Sequence, residues 1–159
     1  MTAPWSRTSV EGAAGGNLGR IENLEAVPVF ASYEIKVTSD LNEVTTADTF
    51  IFCVPADLDG ALLLDAQAFI TTLGLYVGVV QVQLYNVTDA VNMLSTTIHI
   101  DAGEYTSYTS AIPAVIDGAA DVVAKGDLIQ IVVVNAGCDE SCPMGLGVIL
   151  KFSTSFPGA

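Results

Sequence analysis

The stretch GVVQVQLYNVTDAVNMLSTTIHIDAGE, from Gly78 to Glu104, decides the reading of the whole chain. In Val79–Tyr85, Val80, Val82 and Leu84 fall on one side, and Gln81, Gln83 and Tyr85 on the other. A period of two is that of a half-buried β-strand. Asn86-Val87-Thr88-Asp89 then reads as a turn, because Asn and Asp side chains bond their own backbone. The return strand is Leu94–Asp101. It places Leu94, Thr96, Ile98 and Ile100 on one face, with Met93, Ser95, Thr97 and His99 on the other. Asp101-Ala102-Gly103-Glu104 turns again. One packed face and one polar face indicate antiparallel pairing. The outward set, Gln81, Gln83, Thr97 and His99, carries no evident chemistry. Binding is therefore expected in the segment before this hairpin and in the loops after it.

Outward from the hairpin, the same alternation recurs. Tyr33, Ile35 and Val37 alternate with Glu34, Lys36 and Thr38, so a first strand is expected to open the domain near Tyr33. Thr49–Val54 is a second strand with Phe50, Phe52 and Val54 on one face, ended by Pro55. Leu62–Thr71 has helix formers, yet Leu62, Leu64, Ala66, Ala68 and Ile70 alternate. With strands on both sides it is read as a strand. Tyr105–Ser110 suits a short strand or edge. Ile112–Val123 reads as a long loop with one helical turn after Pro113. Leu128–Val134, LIQIVVV, is apolar on nearly both faces, which implies a central strand or a face covered by another subunit. Gly147–Ser153 closes the domain with Val148, Leu150 and Phe152 inward. These segments predict an all-β, antiparallel β-sandwich or jelly-roll-like domain of about seven or eight strands over residues 33–159. Residues 1–32 lack periodicity and hold Gly12, Gly15, Gly16 and Gly19, so they read as an extended Gly-rich arm.

The chain has 159 residues, enough for one domain with a real core. It has no apolar run of 18, so no transmembrane helix is expected, and its N-terminus lacks the apolar core of a signal peptide. The formal net charge is −13, with only Arg7, Arg20, Lys36, Lys125 and Lys151 basic. That argues against direct nucleic-acid binding, which needs clustered Lys and Arg, and against docking on an anionic membrane. It suits solubility, or a partner with a positive patch.

Catalytic and metal motifs are weak. His99 is the sole histidine, two residues from Asp101 on one strand face, and no G-x-S-x-G nucleophile accompanies it. Asp57-x-Asp59-Gly60 is part of a calcium-loop pattern without its remaining ligands, and a turn explains it. Asn86-Val87-Thr88 is a glycosylation sequon that the turn already accounts for. Cys53 lies in the apolar run FIFCV and reads as a small core residue. Cys138 and Cys142, four apart, suit free loop thiols, a local disulfide or half of a metal site. A zinc site lacks its other two ligands. No enzyme, cofactor or metal site is expected.

The order of motifs carries a resemblance. After Thr49 come FIFCVPADLDGALLLDAQAFI, VVQVQLYNVTDAVNMLSTTIHIDAGEYTSYTSAIPAVI, VAKGDLIQIVVVNAG and GLGVILKF. Over residues 47–153 this succession resembles small β-sandwich virion proteins of tailed bacteriophages. The CDESC insertion and the Gly-rich arm stand apart from the pattern. The resemblance implies assembly without enzymatic chemistry. It implies a decoration or cement protein on the outer capsid surface, made in the host cytoplasm and bound to the major capsid protein as a homotrimer. The apolar face of Leu128–Val134 would then pack at subunit contacts. The arm would cross capsid subunits through Trp5, Arg7, Leu18, Arg20, Ile21 and Leu24. The alternative is a tail or head fibre accessory protein that binds a receptor glycan through Tyr85, Tyr105 and Tyr108.

Overall fold

Eleven strands run through residues 29–75, 78–138 and 141–154, which the computed structural model describes. They are β1 (Val29–Lys36), β2 (Thr49–Cys53), β3 (Ala61–Phe69), β4 (Val80–Asn86), β5 (Val91–Asn92), β6 (Leu94–Thr96), β7 (Ile98–Ile100), β8 (Val115–Ile116), β9 (Val122–Val123), β10 (Leu128–Asn135) and β11 (Gly147–Thr154). One sheet has the order β1-β11-β3-β9. The other has the order β2-β10-β4-β5, with β7 also paired to β4. β6 and β8 form a two-stranded ladder. The chain changes sheet at nearly every connection, and the pairing is antiparallel. This is a jelly-roll sandwich, the fold class expected. Eight strands have three residues or more. The other three, β5, β8 and β9, are two-residue ladders too short to show a period.

The core lies between the two sheets and is filled by alternate residues of each. Val80, Val82 and Leu84 of β4 lie beside Ile129, Ile131 and Val133 of β10 on the inner side of one sheet, and Val148, Leu150 and Phe152 of β11 line the other sheet, all buried. Tyr33 of β1 and Phe152 of β11 meet Phe52 of β2, with ring centroids 5.5 to 6.5 Å apart. Two strands of one sheet and one of the other thus share an aromatic cluster, which fixes the sheets face to face.

Several local expectations change. β1 starts at Val29, four residues before Tyr33. The return strand of the central hairpin is broken. Val80 lies opposite Ile100 and Val82 opposite Ile98, but Tyr85 lies opposite Asn92 and Asn86 opposite Val91. The intervening residues leave the sheet, and Leu94 pairs with Ile116. Met93, expected outward, is buried, and its N–H donates to Leu84 O at 2.8 Å. Consecutive apolar residues both find cover where the chain crosses to the small ladder, which strict alternation cannot describe. In β3 the register shifts opposite Lys151 and Phe152. This β-bulge lets Ala61 and Leu63 share the core with Ala66, Ala68 and Ile70, and sends Leu62 and Leu64 outward. Tyr105–Ser110 holds a single 3-10 turn at Ser107–Thr109, and the region after Pro113 holds β8 and β9 with no helical turn. Cys53 is exposed, because among the described residues β2 is an edge strand with no cover on its outward side.

Candidate interaction surfaces

The outward side of the β2–β10–β4 sheet is set by register. Ile51, Gln130, Tyr85 and Asn92 form one row across β2, β10, β4 and β5. Thr49, Val132 and Gln83 form the next, with Leu128 beside Cys53 and Gln81 beside His99. Ile51 and Val134 are 53% and 50% exposed. No residue of these rows is Asp, Glu, Lys or Arg. His99 Nε2 lies 2.9 Å from Thr97 Oγ1, and Gln83 donates to Leu94 O at 3.2 Å.

The outward side of the other sheet is charged. Lys151 lies opposite Asp65, and its Nζ stands 4.8 Å from the centre of the Phe30 ring. Lys36 caps the Phe69 ring at 5.6 Å and pairs with Asp40. The ammonium beside it holds the Asp40 carboxyl below its usual range. Leu62 and Leu64 of β3 and Val122 of the edge strand β9 are exposed on this sheet.

At one end of the sandwich the loops are pinned by backbone contacts. Gly78 N–H donates to Gly137 O at 2.9 Å, and a Cβ on Gly78 would sit 2.7 Å from that oxygen. Only glycine permits this approach. Cys138 and Cys142 form a disulfide with Cα atoms 5.2 Å apart. Leu75 N–H donates to Ser141 O at 3.1 Å, and Val44 N–H to Pro143 O, just past the ring, at 2.8 Å, so the segment is tied to two neighbouring loops. Tyr105 and Tyr108 are exposed at this end, flanking buried Ser107. The Ser107 hydroxyl accepts from Ala68 N–H at 2.8 Å and donates to Gln67 Oε1 at 2.6 Å. Tyr85 lies elsewhere. It follows Val80, the partner of Ile100, by five residues, about 17 Å along the strand. The structure therefore does not gather Tyr85 with Tyr105 and Tyr108 into one groove.

The opposite end holds a buried polar knot. Asn86 Nδ2 donates to Asp89 Oδ2 at 2.9 Å and to Asp127 Oδ2 at 3.1 Å. Its Oδ1 accepts from Thr88 and Asp89 N–H, and Asp127 also accepts from Ala124 N–H at 2.9 Å. The Asn86 amide is thus committed to the turn. An open recess of about 340 Å³ adjoins the knot, bounded by Asp89, Val91, Val122 and Asp127 with three alanines. The other acidic pair is equally occupied. Asp57 accepts from the Tyr33 hydroxyl at 3.3 Å, and Asp59 from Lys125 N–H at 3.0 Å. Asp101 accepts from Ala111 N–H at 2.7 Å and from Ser110. Among the described residues no three His, Cys, Asp or Glu side chains gather to hold a metal ion. Trp5, Arg7, Leu18, Arg20, Ile21 and Leu24 lie outside the described residues. The uncharged rows were missed as a unit by sequence reasoning, which had singled out Gln81, Gln83 and His99 from one part of them and Leu128–Val134 from another.

No family model and no curated protein matches the chain. Among solved structures, it is similar to a chain of the cyanophage Pam1 capsid asymmetric unit, with a TM-score of 0.52 and 16% identity. The match covers 80% of this chain and 86% of that one. A Drosophila NLP core, described with pentamer formation and histone binding, matches at a TM-score of 0.43 and 14% identity over 79% and 97% of the two chains. A chain of infectious bursal disease virus, Gx strain, matches at 0.36 and 14% over 82% and 34%. The fold likeness rests on the first of these.

Proposed function

We propose that the chain is a structural virion protein that binds the surface of an assembled phage capsid and stabilises it. The observation that carries this reading is the likeness to a chain of a cyanophage capsid asymmetric unit. The shared sandwich fills most of both chains, 80% of this one and 86% of that one. The order of strand motifs from Phe50 to Phe152 supports it independently.

The partner is the major capsid protein, together with further copies of this chain in a homotrimer. Residues 1–28 lie across neighbouring capsid subunits, with Trp5, Leu18, Ile21 and Leu24 buried and Arg7 and Arg20 paired to acidic groups. A protein that binds only the assembled lattice stabilises it by mass action, and a segment that gains order on binding spans a wide surface. The test is a truncation. Removing residues 1–28 stops short of β1, whereas a cut at residue 32 would delete half of that strand. The truncated chain is expected to keep its melting temperature and lose binding to empty shells of the phage that encodes it. Unchanged affinity would refute the role of the arm, and a full-length chain that does not bind those shells would refute the reading.

A further inference from the structure

We propose that the uncharged outward face of the β2–β10–β4 sheet is where copies of this chain contact one another. The inference rests on the homo-oligomer of the preceding reading, but it is measured without any shell. Its starting point is the placement of charge. Among the described residues, Glu34, Lys36, Asp65 and Lys151 are the Asp, Glu, Lys and Arg residues found in strands, and all four lie in β1, β3 and β11. β2, β4, β5, β7 and β10 have none.

Charge then names the occupant. A chain of net charge −13 repels its own copies at every acidic surface. A partner with a basic patch would be served better by carboxylates than by this face. The like-charged partner needs a surface free of them, and the chain itself is such a partner. The chemistry of the rows agrees. The amides of Gln81, Gln130 and Asn92 are both donors and acceptors, so identical faces can satisfy one another, while Gln83 is bonded to Leu94 O and Leu84 N–H within the chain. Ile51, Leu128 and Val134 supply exposed apolar surface between them. Among the described residues the face also runs onto an edge strand, β2. β2, reading TFIFC, has no charge, bulge or proline within it, the devices that keep an edge strand from pairing. The flat extent is about 26 Å along β10 and about 19 Å across four strands, or roughly 500 Å². That is below the roughly 800 Å² per partner of a stable complex. The contact is therefore weak in solution and is strengthened when copies are held side by side.

The test is sedimentation equilibrium of the full chain at concentrations up to about 1 mM, in salt from about 0.05 to about 0.5 M. The weight-average mass is expected to rise with concentration and to rise more at high salt, because salt screens the residual repulsion. Alkylation of exposed Cys53, which sits on this face, is expected to slow as copies associate. Gln130→Glu adds a charge without adding volume and is expected to weaken association about tenfold or more. Val132→Glu should do the same, and Leu64→Glu on the opposite sheet should leave it unchanged. Thermal melts show whether each variant is folded. The proposal is overturned if the wild type keeps monomer mass at both salt concentrations. It is also overturned if association weakens with salt, or if a folded Gln130→Glu or Val132→Glu associates as the wild type does. None of these outcomes bears on whether the chain binds shells.

Discussion

The outward sides of the two sheets are built by the same alternation, yet they differ in what they present. On the β1–β11–β3 side, Lys151 stands opposite Asp65 and over Phe30, and Lys36 joins Phe69 to Asp40. Apolar side chains there are interrupted by charges of both signs, as on an ordinary solvated face. On the β2–β10–β4 side, the rows through Ile51 and Val132 contain amides, hydroxyls and apolar groups without a formal charge. The chain does not lack acids to place there. Asp48, Asp57, Asp59, Asp89, Asp101, Asp117, Asp121 and Asp127 all lie outside strands. Among the described residues, then, the acids of the strands lie in one sheet and the rest lie in the connections, while the other sheet is neutral on its outward side.

Mutations test this contrast. The largest effect is expected from the core that both faces share. Ile131→Ala, directly beneath Gln130 and Val132, should cost about 2–5 kcal/mol, read as a lower denaturant midpoint. Both faces should be lost together in one transition. If the face rows survived while the other sheet melted, the two sides would not be one cooperative unit.

A smaller effect is expected at the loop end. Replacing Cys138 and Cys142 by Ser opens a short ring and should cost about 2 kcal/mol. Association through the β2–β10–β4 face should not change, because that ring lies beyond the ends of β4 and β10. A change in sedimentation on reduction would shift the contact toward the loops.

The smallest effect is a dependence on pH. Burial between the sheets, and then the Asp57 carboxylate, raise the Tyr33 phenol above its ordinary value. The fold therefore favours the protonated phenol. Its contribution is complete below the ordinary tyrosine value of about 10 and is lost as pH rises through the raised one. Tyr33→Phe should make the alkaline fall in stability shallower, as seen in denaturant midpoints. An equally steep fall in the variant would place the alkaline sensitivity elsewhere.

Much of the fold was legible. The alternation in Val80–Tyr85, in Leu128–Val134 and in Gly147–Ser153 reports which side faces the core, because a sheet covered on one side requires a period of two. Cys53 misled because an apolar run such as FIFCV has the same composition at an edge as at a centre, and only strand order separates them. Met93 and the β3 bulge misled because both break the period at the residue where it was counted on. The pieces of the neutral face were visible singly, in the outward glutamines of β4 and in the two-sided LIQIVVV. Their union was not, since β2, β4 and β10 are separated in sequence by tens of residues.

The all-β class was written in the sequence, in the alternation of Val80–Tyr85, Leu128–Val134 and Gly147–Ser153 and in the turn residues between such runs. Local alternation and turn chemistry act over a few residues and need no partner strand. The tertiary structure alone decided which strands are neighbours. It set Ile51, Gln130 and Tyr85 in one row, left Cys53 exposed on β2, and parted Tyr85 from Tyr105 and Tyr108. Those outcomes depend on hydrogen-bond register between distant segments, and a shift of one residue would turn each side chain to the other face.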